Sequence, residues 1–215
     1  MSRKAGKRNV AFGARVTDDI EELLPLSGAV KRAIMNRYNL SDQKATSWLN
    51  RAEICVSFIQ RDIQTREAER VDVADLGCGD EKLERLLASR LSRASYQGYD
   101  ILPQSRRVIA LDLNRDELPR HYDFITVLGV SEYIDDLRGF LVKMAGSADR
   151  LIISHVISDA GVYDGEALTR LGWRNHLSQD QLLSLLAECG WETLDSYLEP
   201  IEKRTFLAIA RSRAG

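Results

Sequence analysis

The sequence predicts an α/β fold, built on a doubly wound, mostly parallel seven-stranded sheet with an N-terminal helical extension. Three observations lead to it. From residue 71 onward, short apolar segments alternate with amphipathic segments of helical period, which is typical of a sheet with helices on both faces. A glycine turn directly follows the first apolar segment. Segments 191–198 and 205–210 have the pattern of a closing pair of strands.

Seven segments are expected to form the strands: 71–76, 95–99, 108–113, 123–128, 151–156, 191–198 and 205–210. Helices are expected between them, with leucines on one side over 83–91 and an apolar stripe over 137–144. Ser178 and Gln181 form a capping box, which predicts a helix that begins after Ser178 and ends at Gly190.

The connection between the second and third strands is short. Only about a dozen residues separate Asp100 from Asp112, which is near the lower limit for a parallel crossover. Pro103 falls within it, so any helix there is expected to be short or distorted.

Composition divides the chain into three parts. Residues 1–16 carry five basic and no acidic side chains and are expected to form a flexible tail. Residues 17–66 are expected to form a helical segment that packs on the core, because apolar side chains recur at helical spacing between Ala45 and Ile63. The polar run 61–70 is interpreted as its connection to the main domain, which is expected to span residues 67–215.

Length and charge exclude several classes of protein. The 215 residues, of 24.3 kDa, suffice for one well-filled core. A formal net charge of -2 gives no bulk electrostatic reason to bind nucleic acid or an anionic membrane, and the apolar runs are too short to cross a bilayer. Cys55, Cys78 and Cys189 have neither disulfide nor metal-ligand spacing, so no metal and a reducing cytoplasm are expected.

The glycine turn could hold either of two cofactor classes. Gly77 and Gly79 allow positive φ and a close approach of a ligand, and the helix after them offers free N–H groups. A dinucleotide site has a third glycine three positions later, where this chain has Lys82. Asp75, two residues before the first glycine, instead matches the acid-x-Gly-x-Gly pattern of methyltransferases.

Asp100 is expected to end the second strand. A carboxylate there can accept hydrogen bonds from both ribose hydroxyls of an adenosine ligand. It follows Gly79 by about 20 residues, the spacing of ribose-binding doubly wound domains. Asp100 therefore supports an adenosine cofactor without choosing between the two classes.

Five segments in order resemble the motifs of the class I S-adenosylmethionine-dependent methyltransferases: 73–79, 98–101, 112–114 with 118–119, 122–134 and 189–191. The resemblance covers residues 71–210 and implies a Rossmann-like methyltransferase domain over 67–215, with S-adenosyl-L-methionine as cofactor. It also implies methyl transfer to an O, N or C nucleophile, expected to belong to a small molecule. The implied cofactor-binding residues are Asp75, Gly77, Cys78, Gly79, Asp100, Ile101, Asp112, Leu113, Asn114 and Leu128.

The chain departs from the family pattern at one position of the turn. Glu81 stands where many members have a third glycine. It is expected in the first turn of the following helix, where its charge favours the helix N-terminus and could face the ammonium group of the cofactor. The short crossover is a second departure, and it affects the adenine-side roles of Asp112 and Asn114.

The pattern assigns no catalytic residue. His155 at the end of the fifth strand, His176 in a polar loop, and Glu132 with Tyr133 after the fourth strand could each face the acceptor or be structural. His121 precedes the fourth strand and is expected to be structural.

Three other functions stay open: a catalytically silent cofactor-binding or interaction module on this fold, a nicotinamide-dependent oxidoreductase, and a nucleic-acid methyltransferase. Lys82 disfavours the oxidoreductase. The basic tail and Arg106 with Arg107 are the local cues for nucleic acid, and no stacking aromatic motif accompanies them.

Overall fold

A computed structural model describes residues 46–161, 163–200 and 203–213. Residues 1–16 and 17–45, predicted as the tail and as the first part of the helical segment, lie outside these ranges. The described chain forms one seven-stranded sheet with helices on both faces, which confirms the predicted fold. The strands are β1 (Val71–Leu76), β2 (Ala94–Asp100), β3 (Ile109–Ala110), β4 (Tyr122–Leu128), β5 (Ala148–Val156), β6 (Trp191–Leu198) and β7 (Thr205–Ser212). The helices are α1 (Thr46–Arg66), α2 (Lys82–Arg90), α3 (Leu137–Ala145), α4 (Gly165–Leu171) and α5 (Gln179–Glu188), with short 3-10 turns at Ser131–Tyr133 and Ser158–Ala160.

The strand order places a ligand crevice beside β1. The order is β3-β2-β1-β4-β5-β7-β6, and only the pairs that include β7 are antiparallel. The chain builds outward from β1 in one direction through β2 and β3, then in the other from β4. Ligands of such sheets bind at this reversal, at the edge where the parallel strands end, which we call the carboxyl edge.

Strand β3 is much shorter than predicted. The sequence predicts a strand over 108–113, but only Ile109 and Ala110 pair with β2. Both are exposed, because β3 lies at the edge of the sheet that the described strands form. Leu111 still donates its N–H to the Asp100 carbonyl, at 3.0 Å, before the chain leaves the sheet. The crossover 101–108 contains only bends and turns, in keeping with its length and with Pro103.

Two hydrophobic layers cover the sheet. Ala74 and Leu76 of β1 lie in the layer formed with α3 and α5, whereas Val71 and Val73 lie in the layer formed with α1 and α2. This division follows from the alternation of side chains along a strand. The same alternation directs Asp75 toward the α1 and α2 layer, where its carboxyl group is buried.

Helix α1 extends further than the sequence indicated. The run 61–70 was expected to connect two parts, yet the helix continues to Arg66. Its last turns are held by charge pairs, because Asp62 contacts Arg66 within the helix and accepts a 3.1 Å hydrogen bond from Arg150 of β5. Polar residues at this end therefore continue the helix while they bind the sheet.

The predicted capping box of α5 is confirmed. Ser178 Oγ accepts from Gln181 N at 3.1 Å, and Gln181 Oε1 accepts from Ser178 N at 2.8 Å. The helix ends at Glu188, one residue before the Cys189 cap, and Gly190 follows with a φ of 87°.

Candidate functional site

The glycine turn joins the carboxyl ends of β1 and β2. The N–H groups of Gly77 and Cys78 both donate to the Tyr99 carbonyl, at 2.8 and 3.1 Å. Gly77 has a φ of +73°, and a Cβ placed on it would lie 2.3 Å from Val130 Cγ2 in the loop after β4. Glycine is therefore needed at position 77 both for the backbone conformation and for the close approach of that loop.

Asp100 fastens the end of β2 to the turn. Its carboxylate accepts from Gly79 N at 3.0 Å through Oδ2 and from Leu102 N at 2.9 Å through Oδ1. The residue is only 4% exposed. The structure thus brings together three predicted site residues, Gly77, Gly79 and Asp100, at the edge where the fold places ligands.

Asp75 lies buried inside the turn. Thr126 Oγ1 donates to its Oδ1 at 2.7 Å, and the Tyr96 hydroxyl donates to its Oδ2 at 2.9 Å. Burial raises the pKa of this carboxyl to about 6; the two hydrogen bonds oppose that effect, whereas the carboxylates of Asp100 and Glu81 add to it. Three acidic groups are therefore close enough to influence one another at this site.

Glu81 occupies a left-handed backbone position. It was expected in the first turn of the helix, but it is the residue before α2 and has a φ of 58°, which glycine adopts more easily. Its side chain makes no capping hydrogen bond. The Arg107 guanidinium lies 3.8 Å from Glu81 and 3.3 Å from Glu84. Position 81 thus has a backbone conformation that favours glycine, although the residue is a glutamate.

The adenine-side candidates form a turn that reaches the loop after β4. Asp112 Oδ1 accepts from Asn114 N at 3.1 Å. Asn114 Oδ1 accepts from Asp135 N at 2.7 Å, while Leu113 packs against the α3 and α5 layer. Strands β3 and β4 flank β2 and β1 in the sheet, so this contact ties together the segments on both sides of the crevice.

The remaining three candidates for cofactor binding, Ile101, Leu128 and Cys78, also lie at the carboxyl edge of the sheet. Ile101 follows Asp100 and is half-buried, and Leu128 ends β4 against the α1 and α2 layer. The Cys78 side chain is buried against Gly98, where a Cβ would lie 2.9 Å from its Sγ. All ten candidates therefore lie at or beside the carboxyl edge, and their binding roles stay predictions.

His155 is fully engaged inside the protein. Its Nε2 accepts from Leu177 N at 3.0 Å, so Nδ1 carries the proton and donates to Ser131 Oγ at 2.8 Å. The residue is 0% exposed, and burial lowers the pKa of its imidazole, which favours the neutral form. With both nitrogens occupied, His155 connects the loops after β4 and β5 and has no ring nitrogen left for a ligand.

Glu132 completes the attachment of these loops. Its buried carboxylate accepts from Val156 N at 2.8 Å, and its carbonyl accepts from the N–H groups of Arg174 and Asn175 at 2.6 and 3.1 Å. The Asn175 side chain donates to the carbonyls of Ser131 and Ile134, at 3.0 and 2.6 Å. Glu132 and Asn175 thus fix segment 174–177 against the loop after β4.

An aromatic group lies beside this attachment. Tyr163, Trp173 and His176 have ring centroids 5.1 to 6.2 Å apart. Burial raises the pKa of the nearby Tyr133 hydroxyl to about 12. A hydrogen bond with the Trp173 side chain opposes this effect, but it is smaller than the effect of burial. The sequence left the roles of Tyr133 and His176 open. It missed Tyr163, for which no local pattern exists.

His121 lies at the opposite edge of the sheet, just before β4. It is exposed and its Nε2 is 3.5 Å from Asp149. This position is away from the ligand edge, as its place before the fourth strand predicts, and its structural role stays a prediction.

Neither a metal cluster nor a membrane helix is found in the part of the chain that the structure describes. No group of three or more His, Cys, Asp or Glu side chains in these ranges could hold a metal ion. Among the same residues, none of the helices is both long and apolar enough to cross a bilayer. The three cysteines are buried and form no disulfide.

The sequence matches no protein-family model, and no curated protein matches it. Solved structures do resemble it. The plantazolicin methyltransferase, in complex with S-adenosylhomocysteine, superimposes with a TM-score of 0.62 at 14% identity, over 91% of this chain and 99% of that one. The magnesium protoporphyrin IX methyltransferase of Synechocystis has a TM-score of 0.60 at 16% identity, over 93% and 94%.

One similar structure has a different activity. The cyclase SpnF has a TM-score of 0.56 at 14% identity, over 68% of this chain and 76% of that one. At such identities the likeness concerns the fold. The chain has the Rossmann-like fold of the class I S-adenosylmethionine-dependent methyltransferases.

Proposed function

We propose that this chain is an S-adenosylmethionine-dependent methyltransferase that acts on a small molecule in the cytoplasm. The observation that carries the proposal is the fastening of Gly79 to Asp100 at the switch point of the sheet, 3.0 Å from N to Oδ2. This hydrogen bond places the glycine turn, whose backbone a ligand can approach closely, next to the carboxylate proposed to bind the ribose. Similar folds are those of enzymes that methylate small molecules or peptides, as the plantazolicin and magnesium protoporphyrin methyltransferases do by name.

The charges around the turn favour a cationic ligand. Asp75, Glu81 and Asp100 are close enough for the latter two to raise the pKa of the first. A dinucleotide would bring the two negative charges of a pyrophosphate to the N-terminus of α2, next to Glu81. S-adenosylmethionine instead carries a sulfonium and an ammonium group, which these carboxylates attract. The electrostatics therefore favour S-adenosylmethionine over a dinucleotide. Lys82, which stands where a dinucleotide site has its third glycine, favours the same choice.

The proposed roles follow from the positions of the residues. Asp100 accepts hydrogen bonds from the ribose hydroxyls, and the backbone of 77–79 lies along the amino-acid part of the cofactor. Asp112 and Asn114 border the adenine, for which Ile101, Leu113 and Leu128 provide apolar surface. Bound S-adenosylmethionine supplies the activated methyl group, and this chain positions the acceptor and excludes water.

A silent cofactor-binding or interaction module is the second candidate. It is favoured by the buried pair His155, at the end of β5, and Glu132, after β4, because both side chains are engaged in structural hydrogen bonds. The cyclase SpnF also shows that this fold serves other chemistry. A nucleic-acid methyltransferase has no comparable support, since the net charge is -2.

Two measurements test the proposal. Isothermal titration calorimetry should show binding of S-adenosylmethionine and S-adenosylhomocysteine, and no binding of NADH at equal concentration. Release of S-adenosylhomocysteine should then be assayed against a panel of phenols, amines and carboxylic acids. Turnover on any of these supports the enzyme, whereas cofactor binding with no turnover favours the silent module. Tight NADH binding without affinity for S-adenosylmethionine would overturn both.

A further inference from the structure

A cavity lies between α2 and β2, on the face of the sheet that α1 and α2 cover. The crossover that follows β2 contains only bends and turns over residues 101–108, so it lays no helix over this part of the sheet. The space beside α2 has a volume of about 180 Å³. Apolar cavities of about 150 Å³ hold benzene, so a molecule with one aromatic ring fits here.

The cavity has an apolar end and a charged end. Ala88, near the end of α2, and Ala94, at the start of β2, line the end that is farther from the glycine turn. Tyr96 follows Ala94 on the same face of β2 and lines the middle of the cavity. The other end, where α2 begins, is lined by the charged residues Glu81, Glu84 and Arg107. A ligand that matches both ends has a charged group on a compact apolar body.

The Glu81 carboxylate lines the charged end and accepts no hydrogen bond from the described residues. The residue is 8% exposed, and its Oε1 lies 3.8 Å from Arg107 Nη2, which is beyond hydrogen-bond distance. A carboxylate that is removed from water without hydrogen bonds raises the free energy of the folded protein. A ligand that donates hydrogen bonds to Glu81 would offset this cost.

The charges that line this end favour a cation. Arg107 donates to Glu84 Oε1 at 3.3 Å, but its side chain is 71% exposed, so water screens the pair and holds it weakly. The two other nearby cations, Lys82 and Arg85, are bound to Asp80 and do not line the cavity. The lining groups therefore comprise two carboxylates and one guanidinium, and an ammonium group can take the place of that guanidinium.

We propose that this cavity binds a small primary amine with a compact apolar body. The ammonium group donates to Glu81 and Glu84 and displaces the Arg107 guanidinium toward solvent, while the apolar body packs on Ala94 and the Tyr96 ring. The cavity lies on one face of the sheet, whereas the proposed cofactor crevice lies at the carboxyl edge. The inference therefore does not depend on the proposed function.

Calorimetric titration of the full chain with benzylamine at pH 7 tests the site. Benzyl alcohol has a similar shape without the charge, and benzoate has the opposite charge. We expect benzylamine to bind at least about tenfold more tightly than benzyl alcohol, because the alcohol lacks the charge-assisted hydrogen bonds to the carboxylates, and benzoate to bind most weakly. Absence of benzylamine binding, or equal affinities for the amine and the alcohol, would overturn the proposal.

Two substitutions at the charged end should have opposite effects on benzylamine binding. Glu84→Gln removes one carboxylate and should weaken it by about fivefold or more. Arg107→Gln removes the competing cation and should strengthen it by about threefold. Glu53→Gln is the matched control and should bind normally, because Glu53 forms a similar exposed pair with Arg90, at 2.9 Å, outside the cavity. Weaker binding in Arg107→Gln, or unchanged binding in Glu84→Gln, would contradict the proposed role of these charges.

Filling the apolar end tests the position of the ligand. Ala88→Phe places a ring in the cavity and should abolish benzylamine binding. Ser89→Phe places the same ring on the next residue of α2, which does not line the cavity, and should leave binding unchanged. Both positions are exposed, so both variants should melt near the wild-type temperature. Equal benzylamine affinities in the two variants would reject this cavity as the site.

Titration at saturating S-adenosylhomocysteine separates this inference from the proposed function. Benzylamine should still bind, because the cavity and the crevice are different places on the sheet. Competition between the two ligands would place the amine in the crevice and overturn the inference. Absence of S-adenosylhomocysteine binding, in contrast, rejects the proposed function and leaves the amine site.

Discussion

His155 Nδ1 lies 2.8 Å from Ser131 Oγ, and this hydrogen bond joins the end of β5 to the loop after β4. Because the other ring nitrogen accepts from Leu177 N, one imidazole holds three segments of the carboxyl edge together. The histidine that the sequence offered as a candidate for substrate contact is thus a support for the loops around the site.

Replacing His155 should therefore cost stability. His155→Leu leaves the Leu177 N–H buried without an acceptor and removes the Ser131 contact, for a loss of about 2–3 kcal/mol in the free energy of unfolding. Urea denaturation measures it, with His121→Leu as the exposed control, which should stay within about 0.5 kcal/mol of wild type. Equal effects of the two substitutions would contradict the role given to His155.

Gly77 and Val130 should be coupled. Gly77→Ala introduces a Cβ 2.3 Å from Val130 Cγ2 at a φ of +73°, so it should destabilise the protein and weaken cofactor binding. The backbone strain alone costs about 1–2 kcal/mol. Val130→Ala removes the clash but not the strain, and the double variant should recover part of the loss. Strict additivity in a double-mutant cycle of unfolding free energies would argue against the contact.

Asp75 should make stability depend on pH. Its folded-state pKa, raised by burial to about 6, lies above the unfolded value of about 4, so the neutral carboxyl favours the folded state. That contribution is fully present below the unfolded pKa and is lost as the pH rises through about 6. The unfolding free energy of wild type, relative to Asp75→Asn, should fall by about 2 kcal/mol between pH 4 and pH 7. A flat difference over this range would show that Asp75 ionises normally.

The left-handed backbone at Glu81 predicts a stabilising substitution. Glu81→Gly relieves strain at a φ of 58° and should raise the free energy of unfolding by up to about 1 kcal/mol. Glu67→Gly is the matched control, because Glu67 has a φ of 53° just after α1. Thermal melting should rise in both variants, and only the Glu81 variant should change the affinity for S-adenosylhomocysteine. A lower melting temperature for Glu81→Gly would mean that its contact with Arg107 outweighs the strain.

Local patterns predicted most of the fold and the position of the turn. Each of these patterns involves residues that are close together in the sequence: the alternation along a strand, the capping box at Ser178, and the spacing of Gly77 and Gly79. The structure has the strand, the capping box and the turn at these positions. The length of β3 could not be predicted this way, because it depends on the position of β3 at the edge of the sheet that the described strands form.

Contacts between segments that are far apart in the chain could not be predicted from the sequence. His155 and Ser131 are 24 residues apart, and Arg204 meets Tyr163 only because β7 returns antiparallel beside β5. Its residue type and its place at the carboxyl end of the fifth strand made His155 a candidate for substrate contact. The buried partners on both ring nitrogens show its structural role.

The affinity of S-adenosylhomocysteine for Asp100→Asn, measured by calorimetry, tests the proposed cofactor site most directly. Asp123→Asn is the control, because Asp123 also accepts a backbone N–H, from Asp72 at 2.7 Å, but at the opposite edge of the sheet. We expect Asp100→Asn to bind about 30-fold more weakly than wild type, since charge-assisted hydrogen bonds to the ribose are lost, and Asp123→Asn to bind normally. Wild-type affinity in Asp100→Asn, or no binding by the wild type, would contradict the proposal.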